Sequence, residues 1–158
     1  MTFVHPFLEN AEALDRFVGD WQRHRLPKEA WTHGAHVAAC AYFAFDRDES
    51  DTLAIMRPGI RSFNESVGGV NSATEGYHET ITRLWVTTIA RHIREVRPAT
   101  RFDAAASAVA HFHSPRELLE RHYSWDIVND QRARAEWVEP DKEVLSLKCG
   151  VPSGSAEC

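Results

Sequence analysis

Apolar positions along this chain recur at spacings of three and four and nowhere alternate with period two, which predicts helices and no strand. Asn10 is placed to cap a first helix whose stripe is Leu14, Phe17, Val18 and Trp21, and Arg25-Leu26-Pro27 breaks it. A second helix starts near Thr32 or His33 and runs to about Asp46. It is apolar nearly all round, so it belongs in the middle of the fold. Ser50 or Asp51 caps a third helix carrying Leu53, Met56, Ile60, Phe63 and Val67. Pro58-Gly59 inside that pattern predicts a kink or two short helices, and Gly68-Gly69 ends it. The fourth helix follows Ser72 and Glu75, which read as a capping box. Its stripe is Ile81, Leu84, Trp85, Thr88, Ile89, Ile93 and Val96, and Pro98 closes it. An alanine-rich fifth helix covers about 102–112, and Ser114-Pro115-Arg116-Glu117 opens a short sixth to about His122. Asn129 caps a last turn or two through Glu136, and from Trp137 the pattern is irregular.

These elements predict an all-α fold: a compact single-domain helical bundle of about five to six helices with an irregular C-terminal segment. The domain is expected over 1–148, with 149–158 a disordered tail. A chain of 158 residues can bury a sufficient core without disulfides or a structural metal. Cys40, Cys149 and Cys158 are odd in number and lack paired spacing, so no disulfide framework is expected. The net charge of −5 argues against a general nucleic-acid or anionic-membrane binder. No membrane-length apolar run or signal segment is present, which makes the cytoplasm the default expectation.

The chemistry on offer is carried by histidines. His33 and His36, three apart at the start of the second helix, share a face, and His78 stands in the expected first turn of the fourth. At 100° per residue His78 falls on the apolar stripe with Ile81, Thr82, Trp85, Ile89 and His92. A helix N-terminus disfavours the imidazolium, leaving a neutral ring with a lone pair for a metal. Three neutral imidazoles with an open position suit a divalent transition metal: zinc, iron, copper or nickel. The competing reading, in which each histidine caps a helix or fills the core, stands beside this one, because the spacing is not a diagnostic metal motif.

Glu79 follows His78 directly and reads either as a general acid or base or as a first-turn carboxylate favoured by the helix dipole. Tyr77 is a second catalytic candidate. Trp31, Thr82, Trp85 and Tyr123 are candidates to shape a substrate pocket. Arg61 and Asn64 read either as binding a substrate carboxylate or, as the base expectation, as a solvated helix face, and the segment with Glu139 either supplies a carboxylate over a pocket or anchors the C-terminus. Cys40, four residues after His36, is a possible fourth ligand but reads more simply as a small buried hydrophobe.

The segments Trp31-Thr32-His33-x-x-His36, Tyr77-His78-Glu79-Thr80-x-Thr82 and Glu139-Pro140-Asp141 resemble a family of short bacterial helical proteins. That family carries aromatic-x-His-x-x-His, Tyr-His-x-Thr-x-Thr and Glu-Pro-Asp segments. The resemblance covers about 31–145 and implies that His33, His36 and His78 belong together, without bringing an activity. Together these readings predict a metal-dependent enzyme acting on a small molecule by hydrolysis, elimination or metal-assisted oxidation. The rivals are a non-catalytic small-molecule or metal-binding protein, and a structural module with core histidines.

Overall fold

The computed structural model describes residues 5–145, and they form an all-α bundle with no strand among them. Seven α-helices follow in order: α1 Ala11–Gln22, α2 His33–Ala44, α3 Glu49–Ser66, α4 Glu79–Val96, α5 Arg101–His111, α6 Pro115–His122 and α7 Gln131–Ala135. The five-residue α7 is the last turn or two expected before Glu136. The predicted tail, 149–158, lies outside the described residues. No described helix is long and apolar enough to cross a membrane.

Every helix opens on a side chain that accepts a backbone N–H of its first turn: Asn10, Thr32, Asp48, His78, Thr100, Ser114 and Asp130. A short acceptor at that position satisfies an amide that the helix itself leaves without a partner. Asn10, Thr32 and Ser114 are the caps expected from sequence. The third helix is capped by Asp48, two residues before the expected start, and the last by Asp130 where Asn129 was expected.

α2 is buried on all sides, as its unbroken apolar character demands. Ala35, Ala38, Ala39 and Ala41 are fully enclosed, and α2 packs against α5, whose Ala104, Ala105 and Ala108 are equally enclosed. Small side chains on both helices allow this close approach with native-like packing. α1, α3 and α4 complete the main core around Trp21, Phe43, Met56, Phe63 and Ile89. A smaller cluster of Leu84, Leu118, Tyr123, Ile127 and Ala133 covers the far side of α4.

Of the kink or two short helices expected at Pro58, the second is set aside: α3 runs as one helix through Pro58. Gly59 lets the Trp21 indole lie against it, since a Cβ would fall 2.4 Å from the ring. Ser72 and Glu75 do form the expected contacts, Ser72 Oγ accepting the Glu75 N–H at 3.2 Å, but they close a loop turn, not a helix. Gly76, at φ +80, turns the chain where a Cβ would meet the Val70 carbonyl at 2.2 Å. α4 therefore begins only after His78. The irregular segment beyond α7 is pinned to α4, with the Thr80 hydroxyl donating to Glu136 O at 2.7 Å and accepting the Val138 N–H at 3.0 Å.

Candidate functional site

The positions 33, 36, 37 and 40 of α2 lie on one face, as do 78, 81, 82, 85 and 89 along the start of α4. These two faces meet across a cavity of about 360 Å³, closed by Met56 and Ile60 of α3 and by Pro115 and Leu119 of α6. His33, His36 and His78 all line it, together with Cys40, Tyr77, Thr82 and Trp85. A second space of about 270 Å³, bordered by Lys28, Trp31, Phe63, Asn64 and Val67, shares the walls His36, Ile60, Gly76 and Tyr77 with the first.

The three imidazoles share a cavity yet are used differently. His33 Nε2 lies 2.7 Å from Phe112 O. A carbonyl only accepts, so Nε2 is the donor in this bond. Phe112 ends α5, so this bond also satisfies a carbonyl near a helix C-terminus. His78 is the N-cap of α4: its Nδ1 accepts the Ile81 N–H at 3.2 Å, and Nε2 donates to Ile127 O at 2.9 Å. Both nitrogens are engaged, and burial lowers its pKa despite the opposing bond to Ile127. His36 differs from both. Its ring packs at a tilt against Trp31 with centroids 4.1 Å apart, and among the described residues no hydrogen bond reaches it. Burial, then the neighbouring His33, drives its pKa down to about 3, so it is neutral at any ordinary pH.

The expected metal trio does not fit this arrangement. A ligand histidine must offer a lone pair, and the Ile81 amide already uses that of His78. Among the described residues no group of three or more histidine, cysteine, aspartate or glutamate side chains is arranged to hold an ion. Cys40 lines the cavity as a neutral thiol, burial pushing its pKa up to about 12. His92, expected on the same stripe as His78, instead pairs with Ser107 at 2.8 Å and stacks on His111.

Glu79 does not line the cavity. It turns to α3, where Arg57 donates from Nε to Oε2 at 3.0 Å and from Nη2 to Oε1 at 2.5 Å, and the Tyr77 hydroxyl donates to Oε2 at 2.7 Å. Burial works to raise the Glu79 pKa, but the hydrogen bonds from Arg57 and Tyr77 outweigh it and hold the carboxyl below its usual range. Burial first, and then the bond to Glu79, push Tyr77 up to about 12. Neither group is poised to move a proton near neutrality.

The other candidates divide. Thr82 and Trp85 face the larger cavity, and Trp31 and Asn64 the smaller. Asn64 is occupied with structure, its amide donating to Val70 O and Asn71 Oδ1 at 3.2 and 3.1 Å. Arg61 lies over the Tyr77 ring at 5.3 Å. Tyr123 and Glu139 belong to neither wall. Tyr123 is buried in the smaller cluster and donates to Val138 O at 2.7 Å. Exposed Glu139 accepts the Trp137 indole N–H at 2.7 Å. Sequence reasoning missed Arg57 and Lys28. The spacing of Arg57 and Arg61, one helical turn apart, is the signal that places both on the side of α3 facing Tyr77. No family model matches this chain, and no curated protein and no solved structure matches it either.

Proposed function

We propose that this protein binds a small, largely apolar organic molecule in the larger cavity, with the neutral His36 imidazole as its polar contact. One observation carries the reading: a ring with both nitrogens free of hydrogen bonds lines a space of about 360 Å³ whose other walls are mostly apolar. Ligand pockets are commonly of this size and combine apolar walls with a few polar groups.

The test uses a panel of small alcohols and ketones beside apolar molecules of similar size, read by thermal shift and by emission of Trp31 and Trp85. Binding to the folded state alone raises the melting temperature by mass action. His36→Leu retains bulk while removing the polar atoms. It should weaken the alcohols and ketones about tenfold and leave the apolar compounds unchanged, as expected for a hydrogen bond of about 1.4 kcal/mol. If no compound shifts either signal at millimolar concentration, the cavity is not a binding site.

A proton-transfer enzyme acting on such a ligand is a second reading, favoured by the Phe112 carbonyl that fixes the His33 ring through Nε2 and leaves Nδ1 without a hydrogen bond among the described residues. In that case His33→Gln should reduce turnover by about 10²–10⁴ once a substrate is found. No step is derived through a metal, because the third imidazole has no lone pair to give.

A further inference from the structure

In a chain with 23 acidic and 18 basic residues, the walls of the two adjoining spaces contain no carboxylate among the described residues, and Lys28 is the one lysine or arginine that lines them there. Glu79, next in sequence to the cavity-lining His78, lines neither space and is paired with Arg57. Arg61, exposed and over the Tyr77 ring, brings a second cation to the same end. The larger space is apolar, and the smaller one carries this positive end. Of the two rings on their shared wall, Tyr77 is tied to Glu79, while His36 packs at a tilt against Trp31 and has no hydrogen bond among the described residues.

We propose that the ligand is an elongated organic monoanion: its apolar body fills the larger space, its chain passes His36, and its anionic group sits in the smaller space near Lys28 and Arg61. This rests on the binding reading above and adds the ligand's charge and direction. A cation at the end of an apolar slot selects by charge, because an amine there meets repulsion and an alcohol gains nothing from the lysine.

The experiment titrates the intact chain with octanoate, octanol and octylamine, followed by tryptophan emission at low and high salt. Octanoate should bind about fivefold tighter than octanol, the advantage expected of a partly exposed ion pair, and octylamine weakest. High salt should narrow the difference. Lys28→Gln, at an exposed position, should narrow the octanoate preference, and Lys28→Gln with Arg61→Gln should bring octanoate close to octanol while leaving octanol unchanged. Equal binding of octanoate and octanol by the wild type, or a preference that survives the double variant, overturns the anionic assignment and leaves the cavity reading standing. Binding by none of the three overturns both.

Discussion

Replacing His78 separates a capping histidine from a metal ligand. In the structure this side chain does two things: it accepts the Ile81 amide at the head of α4, and it donates to the Ile127 carbonyl 49 residues away. Loss of a helix N-cap costs about 1 kcal/mol. Leaving a buried carbonyl without its donor costs about 1–3 kcal/mol. His78→Ala should therefore destabilise by about 2–4 kcal/mol, before any contribution from the small void left at a position only 7% exposed. His78→Asn restores an acceptor for the Ile81 amide but does not span the distance to Ile127, so it should recover about 1 kcal/mol of that loss. Urea unfolding with the slope held common measures both. For a chain of this size, 1 kcal/mol corresponds to about 2–4 °C in Tm. The same experiment includes zinc and EDTA. Under the capping role, neither should move the wild-type Tm. If asparagine proves as damaging as alanine, the cap is not what His78 supplies. A metal-dependent rise in wild-type Tm that His78→Asn abolishes would restore the ligand role and refute the hydrogen-bond argument.

Three further expectations concern the walls of the site. The pKa of His36 is lowered from 6.5 to about 3, so below pH 6.5 the unfolded chain binds a proton that the native chain refuses; its contribution to stability is present above 6.5 and is lost as pH falls toward 3. Each such proton accounts for a slope of about 1.4 kcal/mol per pH unit, and His36→Phe should flatten the wild-type stability profile by one proton in that window; an unchanged profile would show that the ring is not buried neutral. Arg57 and Glu79 should show a coupling of about 1 kcal/mol in a double-mutant cycle of Arg57→Gln and Glu79→Gln, discounted because Arg57 is 42% exposed; additive effects would mean the pair is not formed in solution. Gly59→Ala would gain about 1 kcal/mol by helix propensity alone, but its Cβ meets the buried Trp21 ring, which is itself stacked on Trp31. Overpacking of this kind costs about 1–3 kcal/mol, so the variant should be destabilised, and a rise in Tm would show that the indole moves freely.

Much of the architecture is legible in the chain alone. The apolar surround of α2 marks it as the central helix, and the heads of α1, α2 and α6 carry their caps in plain view at Asn10, Thr32 and Ser114. Periodicity also places His33, His36 and Cys40 on one face and His78, Thr82 and Trp85 on another, and those faces do share a cavity. What each histidine does there was decided by tertiary structure. The partners of His33 and His78 are the backbone carbonyls of Phe112 and Ile127, 79 and 49 residues distant. Every residue carries such a carbonyl, so no side-chain pattern announces which one will arrive. Sequence left Glu79 open between a proton-transfer role and a first-turn carboxylate for a related reason: its neighbour in sequence is a cavity histidine, while the guanidinium that claims it stands on α3, brought there by helix packing. Helical spacing determines the direction in which a side chain leaves its own helix, and only the packing of distant segments determines what it meets.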